Sequence, residues 1–535
     1  SFQLEFHPMT PLSFLCPLLL LSLSPSVDSG RILIYSPAIS ISHLISNGRI
    51  ADTLVDAGHE VVMFILEYSQ MVGKFNGTTK AKIIRMNGLY EHFDALLAEC
   101  ETSFGESEVT PVSLRLAFED SVAATCRDIL SRRSELEQLR VFNFDLAFSE
   151  QLDTCGAGII RYLGIQNHLW ISTTALMEAN SYRLGIPQPS SYVPTIEEND
   201  NGDVMDFWQR AYNLWMYGVG IVVHQYGVYR TTAVFREALG GAFPDTGEIV
   251  ANSSLCFVNI DEQFDFARPI IAKNIFIGGL GIRKKEKKLD EKFSAIMSKG
   301  EKGVILFSFG TIAPFNALPQ TAQNGIISVF RRLDKFHFVL KITADDNTTA
   351  SLVADLKNVD IATWLPQSHL IRHPRVRAFV MHGGLNSLME AAHAGVPLII
   401  TPFFADQFRN GRLVEKRGMG KVILRKDLNE KSFSAALNDI LSDKRYAEAA
   451  QRTSKLLRTR PFSPEERLVK WTEFAMENGV LSHLHVEGAR LNSLVYFNLD
   501  VFAALFAVAF ITCFASFKLI TFPCRSREIK KIKLH

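Results

Sequence analysis

A dense set of polar and aromatic side chains lies in one stretch, Trp364 to Gln407: W-L-P-Q-S-H-L-I-R-H-P-R-V-R-A-F-V-M-H-G-G-L-N-S-L-M-E-A-A-H-A-G-V-P-L-I-I-T-P-F-F-A-D-Q. Trp364 offers a flat face for a base, and Gln367 can hydrogen-bond a base edge or a ribose hydroxyl. His382, Asn386 and Ser387 surround a glycine turn that opens a helix. Free N–H groups and the positive end of the helix dipole make such a turn an anion site, suited to a diphosphate. Glu390, one turn further in, can accept from ribose hydroxyls, and Asp406 and Gln407 follow the next strand. Single residues also have plainer uses. Ser387 to Glu390 is a formal capping box, and a tryptophan alone is more often core than platform. Together at this spacing they point to a bound nucleotide.

The elements that must position these groups can be read from apolar runs. Ala378–Met381 forms a strand, His382-Gly383-Gly384 a turn, Ser387–Ala394 a helix stopped by Gly395 and Pro397, and Leu398–Thr401 a buried strand. Near the other end, Arg31–Ser36 is a strand, a helix begins near His43 and ends at Gly58, and Val61–Leu66 is the next strand. This is a β-α-β unit, and it puts His43 at a helix start beyond the carboxyl end of a strand, where open α/β sheets bind ligands. The dipole disfavours imidazolium there, keeping the ring basic and neutral. A further strand, Phe144–Phe148, leads to Glu150 and Asp153, each of which could also be a solvated loop carboxylate or a helix cap.

The long stretch resembles the signature of the UDP-glycosyltransferase family: W-x-P-Q, then H-G-G-x-N-S-x-x-E, then A-D-Q. The resemblance is far more specific than a lone G-x-G-x-x-G. It implies a GT-B fold, an α/β architecture of two Rossmann-like doubly wound domains facing across a cleft. It implies that Trp364 stacks on uracil and Gln367 holds the uridine. His382, Asn386 and Ser387 would then meet the diphosphate, Glu390 the ribose, and Asp406 and Gln407 the sugar, with Leu365 and Gly384 beside them. The turn after V-I-L-F-S-F matches the family's S-x-G-[ST], which brings Ser308, Gly310 and Thr311 to the donor phosphates. His43 matches the family's catalytic base. The position of Glu150 usually carries an aspartate that pairs with it; this chain is longer by one methylene there, and Asp153 is a rival partner.

Composition agrees with a two-domain membrane protein. At 535 residues the chain exceeds a single small core. A hydrophobic content of 47% and a mean hydropathy of +0.09 ask for a membrane segment. A net charge of +1 gives no footprint for nucleic acid. The seven cysteines form neither C-x-x-C nor a metal-like cluster, and a disulfide among Cys100, Cys126, Cys155 and Cys256 is open. Sequons at Asn76, Asn252 and Asn347 permit glycosylation. The expected organisation is a signal-peptide region over 1–29 and an acceptor-binding domain over 30–282. A charged linker over 283–302 leads to a UDP-sugar-binding domain over 303–460. Helices over 461–495 return to the first domain, a transmembrane helix covers 496–522, and a basic tail covers 523–535. Arg525, Arg527, Lys530, Lys531 and Lys533 put that tail in the cytosol and the body in the lumen. Lys531 and Lys533 resemble a di-lysine retrieval signal, giving a single-pass type I protein of the endoplasmic reticulum. The aromatics of 203–223 read first as core packing.

The expectation is an inverting transferase that moves a hexose or hexuronic acid, glucose favoured, from a UDP-sugar to a hydroxyl of a small lipophilic acceptor. It needs UDP-sugar as co-substrate, no other cofactor and no metal; homo- and hetero-oligomers are both open. A binding protein of the same fold without catalysis is the alternative. A nicotinamide-dependent oxidoreductase is excluded because Ser36-Pro37-Ala38 follows the first strand instead of G-x-G-x-x-G.

Overall fold

Runs of branched and aromatic residues, each followed by a helix, build two separate parallel sheets. The computed structural model describes residues 29–106, 110–282, 289–310 and 314–532. The expected signal region, residues 283–288 of the charged run, Thr311 and Lys533 lie outside them, apart from residue 29. The first sheet contains β1 (Arg31–Pro37), β2 (Glu60–Leu66), β3 (Lys82–Met86), β4 (Leu146–Glu150), β5 (His168–Ser172), β6 (Leu255–Val258) and β7 (Asn274–Phe276). Their order across the sheet is β3-β2-β1-β4-β5-β6-β7. The second contains β8 (Gly303–Ser308), β9 (Phe336–Lys341), β10 (Val359–Ala362), β11 (Val376–Met381), β12 (Leu398–Ile400) and β13 (Gly420–Val422), in the order β10-β9-β8-β11-β12-β13. All the strand pairs are parallel.

Both faces of each sheet are covered, so the strands are apolar throughout rather than alternating. In β1, Ile32 and Ile34 enter one core with Leu44, Ile50 and Leu54 of the helix Ile41–Asp56, while Leu33 and Tyr35 enter another with Phe64 and Phe235. The helix Pro464–Asn478 starts with a capping box formed by Ser463 and Glu466 and has proline at its first turn. Its Leu468 and Ala475 join the first domain's core, and the Asn167 amide donates to the Ala475 carbonyl at 2.6 Å. The chain therefore returns to its first domain after completing the second.

Three local readings change. β4 runs from Leu146 to Glu150, two residues later than the apolar pattern suggests: Asn143, at φ +47°, turns the chain before it, and Asp145 is tied to Arg31 by its backbone N–H at 2.8 Å and by its side chain at 2.7 Å. Glu150 is the last residue of the strand. The aromatics of 203–223 are not core as a group. They lie on the helix Phe207–Leu239, whose buried face carries Asn213, Met216, Tyr217 and Val223, leaving Phe207, Trp208 and Trp215 exposed. In the charged run, the helix Glu291–Ser298 starts at an Asp290 cap and buries Phe293 and Met297.

The helix Leu499–Ile532 follows the body; its apolar part, Leu499–Ile520, has 22 residues, mean hydropathy 2.1 and none of it buried. At 1.5 Å per residue it extends about 33 Å, enough for a bilayer's hydrocarbon core.

Cys126, on the helix Val112–Ser131, and Cys155, on the helix Thr154–Tyr162, form a disulfide. Replacing both by serine should lower stability by about 2–4 kcal/mol. Thermal unfolding of the detergent-solubilised protein would read this as a lower midpoint; an unchanged midpoint would show that the bridge constrains nothing the fold needs.

Candidate active site

In each sheet the strand order reverses beside the first strand, between β1 and β4 and between β8 and β11. Open α/β sheets form a ligand crevice at that point. The two crevices face each other and line one cavity of about 750 Å³. His43, Ser308, Gly310, Trp364, Leu365, Gln367, His382, Gly384, Asn386, Ser387, Glu390, Asp406 and Gln407 all line it. Glu150 sits fully buried behind His43.

His43 lies in the first turn of the helix Ile41–Asp56, and its Nδ1 meets Glu150 Oε1. Thr173 Oγ1 donates to the same carboxylate oxygen at 3.0 Å, and Asn47 Nδ2 donates to Oε2 at 3.2 Å. These bonds fix Glu150, and Glu150 fixes the ring with Nε2 as its free nitrogen. Burial pulls the imidazole's pKa down, but the Glu150 charge and hydrogen bond, aided by Asp406, outweigh it and leave the net shift upward. Asp153 is not the partner. It accepts from the Tyr35 and Tyr68 hydroxyls at 2.8 and 2.5 Å and caps the next helix through Cys155 N–H. Burial pushes its carboxyl up to about 6.

On the other wall, the helix Leu385–Ala394 begins at Gly384 with no side-chain cap. Ser387 and Glu390 therefore do not form a capping box. Gln367 Nε2 instead donates to Ser387 Oγ and to Glu390 Oε2, both at 2.9 Å, and the first N–H groups of the helix have no side-chain acceptor. His382 is clamped between two glycines: a Cβ on Gly384 would lie 2.5 Å from its Nε2, and one on Gly310, at φ +89°, 2.8 Å from its Cε1. Burial and then the Lys341 charge drive His382 down to about 4, so it is neutral and can donate one N–H. Trp364 is 56% exposed, its ring open for stacking.

Asp406 is buried, accepts from Asn410 Nδ2 at 2.8 Å, and is raised to about 6 by burial. Gln407 turns its Oε1 to the Phe403 N–H at 2.8 Å, bracing the loop before it. In that loop Ala405 has φ +53°, and its carbonyl accepts the N–H of Glu198, itself at φ +50°. Such backbone is uncommon outside glycine. It joins the loop before Gln407 to a loop of the first domain.

Sequence reasoning missed three groups. Lys341 ends β9, donates to the Gly310 carbonyl at 2.7 Å and lies 5.6 Å from the Trp364 ring centroid. Its place at a strand's carboxyl end was a usable signal. Ser46 and Arg49 follow His43 at spacings of three and six on one helix face. Arg49 binds Glu390 Oε1 at 2.7 Å. Asn386 also reaches across, donating to Ser42 O at 3.1 Å and Ser46 Oγ at 3.0 Å and accepting from Asn259 Nδ2 at 3.1 Å.

This architecture is that of a GT-B glycosyltransferase. The chain is similar to the glycotransferase of kitacinnamycin (TM-score 0.57, 19% identity, 84% of this chain and 99% of that one). It is similar to the calicheamicin glycosyltransferase CalG4 as well (TM-score 0.56, 17% identity, with the same coverage). More specifically, residues 30–533 match the family model "UDP-glucoronosyl and UDP-glucosyl transferase", and the chain belongs to that family. It is 36% identical over 491 residues to ugt-50 of Caenorhabditis elegans, covering 91% of this chain and 94% of that one. It is 29% identical over 539 residues to UDP-glucuronosyltransferase 3A1 of Bos taurus, covering 97% and 98%. The protein is a UDP-glycosyltransferase.

Trp364→Ala should weaken UDP binding by about 1–3 kcal/mol through lost stacking. Glu390→Gln should weaken it too if Glu390 faces the nucleotide, because a charged acceptor becomes a neutral amide and the Arg49 ion pair is lost. Calorimetric titration with UDP checks both; wild-type affinity in Glu390→Gln would leave that residue with only its contacts to Arg49 and Gln367.

Proposed function

We propose that the enzyme transfers glucose from UDP-glucose, with inversion, to a hydroxyl of a small lipophilic acceptor, and that His43 is the general base. The observation carrying this reading is the His43 ring, held at Nδ1 by a buried Glu150 and bordering a cavity whose opposite wall holds the nucleotide motif. His43 Nε2 accepts the acceptor's hydroxyl proton while that oxygen bonds to the anomeric carbon and the bond to UDP breaks. General-base assistance of this kind is worth about 10²–10⁴ in rate. The departing UDP gains its negative charge at the uncapped start of the helix Leu385–Ala394 and beside His382, without a bound metal. Uracil stacks on Trp364, Glu390 accepts from the ribose, and Asp406 and Gln407 address the sugar.

Phe93, Leu96, Leu114, Phe118, Met177 and Val223 give the cavity apolar walls, which supports a lipophilic acceptor. Glucose is favoured over glucuronate by the charges. Arg49, Arg115 and Lys341 line the cavity, but Arg49 is bound to Glu390, Arg115 to Glu197 and Glu198, and Lys341 to the Gly310 carbonyl. A hexuronate carboxylate would meet Asp406 with neither arginine free, and Lys341, whose charge is not neutralised, lies beside Trp364 at the nucleotide end. The reading places the body in the endoplasmic reticulum lumen. It is supported by the apolar span with basic residues after it and by the disulfide, which fits an oxidising compartment.

His43→Ala should abolish transfer to aliphatic alcohols and leave UDP affinity near wild type; transfer at the wild-type rate would refute the base. The acid limb of kcat/KM should have its midpoint above pH 6.5, since protonated His43 cannot accept a proton and its pKa is raised. Glu150→Gln removes the raising influence but not the burial, so that limb should move to lower pH as turnover falls. A limb that stays in place would disconnect Glu150 from the base. UDP-glucose and UDP-glucuronate compared at equal concentration decide the donor: faster transfer from the second reverses the sugar assignment.

A further inference from the structure

The same cavity carries ionisable groups that glycosyl transfer does not use. Glu119 and Arg115 come from the helix Val112–Ser131, Glu178 from the helix Glu178–Arg183, Glu197 and Glu198 from the loop after Ile196, and His224 from the helix Phe207–Leu239. Arg115 is fully committed, bonding Glu197 at 2.8 Å and Glu198 at 2.7 Å. Asp120, next to Glu119, pairs with Arg230. Glu119 has no hydrogen bond among the described residues; its nearest ionisable contact is His224 Nδ1 at 3.9 Å. Burial, with Arg183 nearby, drives His224 down to about 3, so it brings no positive charge. Glu178 is 1% exposed and accepts one N–H, from Ile196 at 2.9 Å.

The fold makes room for these two carboxyls. A Cβ on Gly227 would fall 1.7 Å from Glu119 Oε2, and one on Gly220 would fall 2.9 Å from Glu178 Oε1. Both glycines lie seven residues apart inside the helix Phe207–Leu239, where glycine is unfavourable. An alanine at Gly227 would displace the Glu119 carboxyl. Glu178 is held by the Ile196 N–H, but a carboxyl left without a hydrogen bond in an apolar cavity, as Glu119 is, is costly, and an ammonium group would answer that cost with charge-assisted hydrogen bonds.

We propose that Glu119 recognises a protonated amine on the acceptor, so that the preferred acceptor is an apolar hydroxyl compound bearing a basic nitrogen. This rests on the reading of the cavity as the acceptor site. In the empty cavity Glu119 is held well above its ordinary value by burial, then by Glu197, Asp153 and Asp120. Glu197 is pushed up to about 7 by burial, against Arg115 and with Glu178 and Glu198. An arriving cation lowers Glu119, so binding releases a proton and strengthens as pH rises, until the amine itself deprotonates.

The test compares 4-(2-aminoethyl)phenol with 4-ethylphenol, which share the reacting group and differ in the amine. With the full-length enzyme in microsomal membranes and UDP-glucose, the ratio of kcat/KM should favour the amine by about tenfold or more. In Glu119→Gln the ratio should fall toward one, and in Glu178→Gln it should stay near wild type, with UDP affinity confirming the fold of each variant. A wild-type ratio of one or below, or a ratio that Glu119→Gln does not move, overturns the proposal. Titration of both phenols into the UDP-saturated enzyme separates this from the functional reading. Tighter, Glu119-dependent binding of the amine without transfer to either phenol would uphold amine recognition and refute hydroxyl transfer. Equal binding of the two would overturn the amine site.

Discussion

The structure depends on one spatial constraint: two parallel sheets, each complete in itself, must present their switch points to each other across a single cleft. Neither sheet alone holds the whole constellation. The first supplies His43 with Glu150 behind it; the second supplies the nucleotide motif. Their relative placement is set by polar bridges and by a shared apolar core, to which Trp170, Phe264 and Phe266 of the first domain and Leu306, Met381 and Leu388 of the second all belong, rather than by a shared ladder. Asn386 reaches Ser42, Ser46 and Asn259, and Arg49 reaches Glu390. Farther out, Arg412 binds Asp200 at 2.6 Å, and the Glu198 N–H meets the Ala405 carbonyl. The returning helix Pro464–Asn478 adds an apolar tie through Leu468 and Ala475. Two residues expected only to touch donor, Asn386 and Glu390, thus also hold the domains together, so donor recognition and cleft geometry share the same atoms.

Much of this was legible in the chain because parallel sheets buried on both faces write themselves as apolar runs broken by glycine turns. The β11 strand, the turn at His382 to Gly384 and the stop at Gly395, which adopts φ +73°, were all readable from local pattern. The GT-B architecture and the glycosyltransferase class followed from the motif and were borne out by the family match and the structural likeness. Less legible were contacts between residues far apart in sequence. Nothing local distinguishes Glu150 from Asp153 as the neighbour of His43. The difference is tertiary: Thr173 and Asn47 hold Glu150 beside His43, while Tyr35 and Tyr68 occupy Asp153. The pairing of Cys126 with Cys155 and the bridge from Arg49 to Glu390 are tertiary facts of the same kind. The aromatics of 203–223 misled because aromatic content gives helix burial only when its angular position is known, and Trp208 and Trp215 fall on the outer face.

The electrostatics divide the cavity in a way that suits its proposed chemistry. At the proposed diphosphate site, the uncapped helix start, the neutral His382 and the partly desolvated Lys341 favour negative charge. Near the proposed base, Glu150 and Asp406 favour a positive charge on His43 once a proton arrives.

The central claim is direct displacement assisted by His43, and the anomeric configuration of the product tests it most directly. Asp406 is the carboxyl that could compete as a nucleophile, since it lines the same cavity and lies near enough to His43 to influence its charge. In UDP-glucose the sugar is α-linked. One displacement gives the β-glycoside; two, through a glycosyl–carboxylate, give the α-glycoside. Proton NMR of the glycoside formed in the first turnovers resolves the anomeric coupling. The account predicts the β-anomer alone, and an α-anomer as the initial product would contradict it.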